Sequence, residues 1–250
     1  MTDLTTANFI RPADRIASFK PYFFASLNQK INQLRSSGVD VIRLDMGSPH
    51  PPPAGFIVDA LVASGRRPDT HGYSQMGGTP AFRKAVADYY DRRFGVKVDP
   101  QKEVLALVGS KEGLFNLCQV LLNPGDISLV PDPGYPVYAA GSIIAGAEVV
   151  PLPLRKENNF LPDFDQIPAE VARKARLLWL NYPNNPTGAV APYEFYEKAV
   201  KFAREHQIVI ANDAPYTDIC FNDYRAPSIL EVPGAKDVAV EFNSLSKTYN

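Results

Sequence analysis

Cysteine, histidine and a surplus of either charge are all scarce in this 250-residue sequence. The two cysteines, Cys118 and Cys220, cannot build the disulfide lattice of a small secreted domain or a four-cysteine zinc site. The three histidines, His50, His71 and His206, are scattered and offer no metal-ligand spacing. Lys plus Arg is 26 and Asp plus Glu is 27, a net charge of −1, so composition lends no support to a polyanion-binding surface. No run of 18 apolar residues is present, and the first fifteen residues carry no apolar core of signal-peptide length. A cytoplasmic protein with reduced thiols is therefore expected. GxSxG, HExxH, CxxC, GxGxxG and GxxxxGK[ST] are all missing, which removes the commonest hydrolase, metalloprotease, redox, dinucleotide and P-loop signatures. No internal repeat and no block of like charge stands out.

What is present is ordinary globular material, 45% hydrophobic and 21% charged, with 23 prolines, about twice the usual share. The prolines cluster at 49–53 and 131–136 and read as stiff connectors. Apolar residues Phe23, Leu27, Ile31 and Leu34 predict a helix over 19–34, and further helices are expected at 56–63 and 79–94. The last has Thr79 as N-cap, Pro80 at the first helical position and Gly95 past its end. A short strand is expected at 39–44. Beyond that, apolar runs at 104–108, 127–130, 177–180, 208–211 and 238–242 alternate with helical patterns at 111–122, 137–144 and 193–205. Short buried strands separated by crossover helices predict an α/β fold, a three-layer, mostly parallel sheet with flanking helices.

In such a sheet ligands bind beyond the carboxyl ends of the strands. The segments that fall there are Gly109-Ser-Lys-Glu-Gly113, Pro131-Asp-Pro-Gly-Tyr-Pro136, Asn181-Tyr-Pro-Asn-Asn-Pro-Thr-Gly188, Asn212-Asp-Ala-Pro-Tyr216 and Asn243-Ser-Leu-Ser-Lys247. Each has two readings. Lys247 at a buried strand end is either a partly desolvated nucleophile or a plain surface lysine. Asp213 is a cap, an ion-pair member, or the partner of a protonated heterocycle. Asn185 is an aimed amide or a simple Asx turn. Ser110 with the neighbouring backbone N–H groups is a phosphate cradle or merely caps its own helix. Tyr135 and Tyr138 either stack on a flat ligand or pack the core. Tyr73, in a glycine-rich loop, says little alone.

Taken in order, Tyr73, Gly109-Ser-Lys, Tyr135, Asn-Asn-Pro-Thr-Gly at 184–188, Asp213-Ala-Pro-Tyr216 and Ser244-Leu-Ser-Lys247 resemble the class I/II aminotransferases. These are the fold-type-I enzymes dependent on pyridoxal 5'-phosphate. Segments such as Pro-Asp-Pro-Gly-Tyr-Pro-Val-Tyr and Asn-Ser-Leu-Ser-Lys-Thr-Tyr-Asn look closest to the LL-diaminopimelate branch. The resemblance implies that Lys247 joins the coenzyme as an internal aldimine and shuttles the substrate proton. It implies that Asp213 holds the pyridine nitrogen protonated, that Asn185 and Tyr216 bond the ring's phenolic oxygen, and that Tyr135 stacks on the ring. Ser110, the backbone at Lys111, and Ser244 or Ser246 would hold the phosphate, and Tyr73 would reach the phosphate of a neighbouring subunit in a homodimer. Tyr22, Gly47, Lys111, Tyr135 and Asn185 would contact the substrate, an amino acid exchanging with a 2-oxo acid. No metal, nucleic acid or membrane is implied.

The same resemblance implies an N-terminal arm with part of the small domain at 1–50 and the coenzyme-binding large domain at 51–250. The family continues well past the lysine, into a C-terminal small domain carrying the arginine that clamps the substrate carboxylate. The chain is thus expected to be a piece of a longer protein, poorly soluble and little active alone. Two other readings keep some of these residues. One is a different fold-type-I enzyme, a carbon–sulfur lyase or a relative of aminocyclopropane-carboxylate synthase. The other is a non-catalytic effector-sensing domain or a vestigial fragment.

Overall fold

The computed structural model describes residues 12–19, 23–45, 47, 49 and 52–250. It divides into two compact units, Met1–Ser48 and Pro49–Asn250. Among its described residues the first holds a 3-10 turn at Asp14–Ser18 and the helix α1 (Phe23–Ser36), which buries Ile31. The strand expected at 39–44 is absent, and those residues form irregular chain. A strand needs a neighbour to take up its N–H and C=O groups. Here Val39 N–H turns back onto Leu34 O at the end of α1, and the Val41 carbonyl accepts from the Arg35 guanidinium instead. Ile42 and Leu44 are 81% and 94% exposed.

The second unit runs α2 (Gly55–Gly65), α3 (Pro80–Phe94), α4 (Ser110–Leu121), β1 (Ile127–Asp132), α5 (Pro136–Ile144), β2 (Glu148–Pro153), α6 (Ala169–Lys174), β3 (Ala175–Leu180), α7 (Tyr193–His206), β4 (Val209–Asp213), β5 (Ala239–Phe242) and α8 (Leu245–Thr248). The punctuation of α3 is as expected. The Thr79 hydroxyl accepts from Phe82 N–H, Pro80 opens the helix, and Gly95 closes it at φ +69°.

The five strands form one parallel sheet in the order β2-β1-β3-β4-β5. Because β2 lies on one side of β1 and β3 on the other, the order reverses between β1 and β3. A crevice opens at such a reversal, beyond the carboxyl ends of the strands. Alternation along the strands builds two cores. Leu129, Leu178, Leu180 and Ile210 face α7, packing on Phe195, Tyr196 and Ala199. Val130, Leu177, Trp179 and Ala211 face α4 and α5, packing on Leu114, Cys118 and Tyr138. Both faces are buried, so the strand segments read as continuous apolar runs. Among the described residues no helix is long and apolar enough to cross a membrane.

Two expectations for the sheet need correction. Residues 104–108 are not a strand. Among the described residues their one backbone bond to another segment is Ala106 N–H to Gly77 O, and Leu105 and Val108 are 68% and 94% exposed. Conversely, β2 was not foreseen, because Pro151 and Pro153 interrupt its pattern. It lies at the sheet edge, the place where a residue without N–H is tolerated.

A half-buried carboxylate hub ties this unit together. Glu241 on β5 receives the Tyr90 hydroxyl of α3 (2.9 Å) and the Ser228 hydroxyl (2.8 Å) on Oε1. On Oε2 it receives Asn212 Nδ2 of β4 (2.8 Å) and Ile229 N–H (3.1 Å). Burial pushes the carboxyl above its usual range, and the four donors oppose that. Glu241→Ala strands all four and is expected to cost about 3 kcal/mol or more of stability in urea denaturation, with Glu241→Gln costing less.

Candidate active site

The site grows from the carboxyl ends of β1, β3, β4 and β5. Asp213 is the last residue of β4 and stands level with Phe242, the last of β5; Ala214 N–H donates to Phe242 O at 2.8 Å. Two residues past β5, the Ser244 hydroxyl caps α8 by accepting from Ser246 N–H. That short turn carries Lys247, which is half-buried. Strand register therefore delivers the lysine and the aspartate from neighbouring strand ends.

Asn181, just past β3, pins the next piece. Its Nδ2 donates to Asp213 O (2.7 Å) while its Oδ1 accepts from Asn185 N–H (2.8 Å). The Asn184 side chain closes the turn by accepting from Thr187 N–H and Oγ1. Asn184 is thereby consumed by the turn, and Asn185 is left half-buried at the strand end. This is the amide singled out from sequence.

On the other side of the reversal, Tyr135 is the residue before α5. Lys111 Nζ, in the first turn of α4, lies 5.7 Å from the centre of the Tyr135 ring, within cation–π reach. Gly109 precedes α4 at φ +80°, ψ 142°, a conformation practically reserved to glycine, and so sets the chain to start the helix at Ser110. Farther along α4, a Cβ on Gly113 would fall 2.7 Å from the Phe242 ring, so glycine is what lets α4 lie against β5.

Asp213 is 4% exposed. Its Oδ2 accepts the Tyr138 hydroxyl at 2.6 Å, whereas Oδ1 is buried with no partner. Burial pushes the carboxyl up to about 6, and the Tyr138 bond pulls the other way. The Tyr216 phenol is raised by burial and then by the nearby Asp213 and Tyr135, so these groups share one locale. A buried carboxylate oxygen with no donor is costly unless something occupies its free side. A protonated ring nitrogen is a group of the required kind.

Of the residues picked from sequence, Asp213, Tyr216, Asn185, Tyr135, Ser110, Lys111, Ser244, Ser246 and Lys247 all fall at this edge of the sheet. Tyr73 does not join them; it projects from its loop fully exposed, as does Met76. Tyr22 lies outside the described residues, and Gly47 belongs to the N-terminal unit. Sequence reasoning left Tyr138 as stacking or core and gave Asn181 no role. A clue to Tyr138 was available: it sits three residues after Tyr135 on a helix beside a carboxylate that must find a partner.

Residues 39–250 match the family model of aminotransferase class I and II. The LL-diaminopimelate aminotransferase of Desulforudis audaxviator is 52% identical over 238 residues, covering 95% of this chain and 61% of that protein. The LL-diaminopimelate aminotransferase of Moorella thermoacetica is 49% identical over 241 residues, covering 96% and 62%. The substrate-bound structure of BacF from Bacillus subtilis superposes with a TM-score of 0.89 at 42% identity, over 96% of this chain and 61% of BacF. The chain thus spans about three fifths of the length of these relatives. With its parallel sheet and this ordered set of strand-end residues, the chain belongs to the class I and II aminotransferase family.

Proposed function

We propose that the intact protein is a cytoplasmic aminotransferase dependent on pyridoxal 5'-phosphate. Its donor would be LL-diaminopimelate and its acceptor 2-oxoglutarate, placing it in lysine biosynthesis. The observation that carries the coenzyme reading is the buried, partnerless Oδ1 of Asp213 at the sheet's carboxyl edge, one strand from Lys247. The substrate reading rests on the two relatives of that name at 49% and 52% identity.

When bound, the coenzyme supplies an aldehyde that captures amines and a protonated ring that withdraws electrons from the substrate Cα. The chain's own residues do the rest. Lys247 Nζ would hold the coenzyme and, once released from it, would serve as the base and acid for the substrate Cα proton. Asp213 Oδ1 would accept the ring N–H and keep that nitrogen charged. The Asn185 amide and the Tyr216 hydroxyl would donate to the ring's phenolic oxygen, and Tyr135 would stack on the ring. Ser110, the backbone at Lys111, and Ser244 or Ser246 would hold the phosphate, using the N–H groups and positive dipole at the start of α4. Tyr22, Gly47, Lys111, Tyr135 and Asn185 would contact the substrate.

A homodimer completes the reading, with Tyr73 reaching the phosphate of the partner subunit. In support, Tyr73 and Met76 are fully exposed, and α2 buries no residue while leaving Phe56 and Leu61 exposed. An apolar face of this kind suits a second copy of the chain.

Incubating the intact protein with LL-diaminopimelate and 2-oxoglutarate is expected to produce glutamate. Pyruvate and ammonia without glutamate would move the assignment to a carbon–sulfur lyase on the same scaffold. No turnover with any amino donor, in a protein that shows no coenzyme absorption band, would leave the vestigial reading standing.

A further inference from the structure

The Asp213 carboxylate is held from three directions. Its backbone carbonyl is fixed by Asn181, its strand by β5, and its side chain, among the described residues, by Tyr138. Tyr138 in turn has little room to move. It is fully buried, its ring stacks on Trp179 with centres 4.7 Å apart and planes 14° apart, and Tyr135 meets it edge-on at 5.8 Å. One turn later the Ser142 hydroxyl donates to the Tyr138 carbonyl, fastening that part of α5. The phenol is therefore a donor fixed in place before any ligand arrives.

That arrangement has a chemical consequence. In apolar surroundings a carboxyl group gains by keeping its proton. A neutral Asp213 protonated on Oδ1 would present a donor to a ring nitrogen and could not hold that nitrogen in its charged form. A phenol O–H directed at Oδ2 favours the ionised carboxylate and leaves Oδ1 as the oxygen with unused acceptor capacity. We propose that Tyr138 is a positioning residue for Asp213, holding Oδ2 so that Oδ1 is kept as a charged acceptor for the protonated ring nitrogen of the coenzyme. The inference rests on the pyridoxal phosphate reading and extends it to a side chain that touches neither coenzyme nor substrate.

The test compares two ligands on the intact protein freed of coenzyme: pyridoxal 5'-phosphate and its 1-deaza analogue, in which a carbon replaces the ring nitrogen. Attachment to Lys247 and the phosphate contacts are common to both, so the ratio of their dissociation constants isolates the ring nitrogen. Tyr138→Phe is expected to weaken pyridoxal phosphate roughly tenfold while leaving the analogue within about twofold. On an Asp213→Asn background the same change should add nothing. Equal weakening of both ligands marks a purely structural role and overturns the proposal, as does no weakening of either. If Tyr138→Phe does not fold, a ring-fluorinated tyrosine at 138 keeps the packing and donates more strongly. It is expected to tighten pyridoxal phosphate relative to the analogue, and an unchanged ratio overturns the proposal. A wild-type protein that binds neither ligand fails the coenzyme reading itself, a result distinct from either outcome for Tyr138.

Discussion

Lys247→Ala in the intact protein is expected to abolish transamination, with a loss on the order of 10⁴-fold or more. The same amine has two duties, attachment of the coenzyme and transfer of the substrate proton, and general acid–base transfer alone accounts for about 10²–10⁴. The fold should be indifferent to the change. Lys247 is half-buried on a one-turn helix whose cap is made by Ser244 and Ser246, not by the lysine. Two measurements check this. Turnover should vanish while the circular dichroism spectrum and thermal midpoint stay close to wild type. Borohydride treatment of the loaded wild-type protein, followed by peptide mass spectrometry, should leave the coenzyme on the peptide containing Lys247, and on no peptide of the variant. Coenzyme fixed on a different lysine would overturn the assignment.

Asp213→Asn is expected to have the second largest effect, with opposite consequences for activity and for stability. Without a carboxylate opposite the ring nitrogen, that nitrogen is no longer held in its charged form. Turnover should then fall by roughly 10³-fold, an electrostatic loss of about 4 kcal/mol at the reacting centre. The stability effect follows from proton linkage. The Asp213 carboxyl is raised to about 6 in the folded, coenzyme-free protein, against about 3.9 in an unfolded chain. Between those values the folded state binds more protons than the unfolded one, so this group's contribution falls as pH rises from about 4 to about 6. A shift of that size corresponds to ~2–3 kcal/mol. Urea denaturation of the coenzyme-free protein should therefore show wild type losing stability relative to Asp213→Asn across that window, with the two pH profiles running parallel above and below it. Profiles that stay parallel throughout would mean that Asp213 titrates as an ordinary exposed carboxylate. Glu241, also raised by burial, contributes equally to both proteins and cancels in the comparison.

The cost of Asp213 in the empty protein and its value in the loaded one have the same source. A carboxylate with one oxygen buried and unpartnered is poorly solvated until a cation reaches it. Coenzyme binding should relieve that burden and raise the apparent stability. Glu241 shows the alternative arrangement within the same sheet. It is half-buried, and four donors saturate it, which leaves it a structural hub with no free side.

Much of this was legible in the chain because the signals are local. The apolar runs at 127–130, 177–180, 208–211 and 238–242 are found as β1, β3, β4 and β5, shifted by at most a residue or two at their ends. The cap, the first-turn proline and the closing glycine of α3 each act within one helical turn and could be read directly. The run at 104–108 misled because apolar β-branched character describes a residue's fit to a sheet, not whether a neighbouring strand is present. The prolines of β2 misled in the opposite sense, since their tolerance depends on edge placement, which no local pattern reveals.

By itself, then, the order of residues established a parallel α/β sheet and the chemically equipped segments at its strand ends, because hydrophobic period and turn chemistry act over a few neighbouring positions. The tertiary structure alone decided which groups meet. Tyr138 bonds Asp213 across 75 positions of sequence, and Tyr90 bonds Glu241 across 151. It also decided that one oxygen of Asp213 stays without a partner while both oxygens of Glu241 are filled. Those outcomes depend on burial and on the direction of side chains brought together from distant segments, and neither quantity exists until the sheet has closed around them.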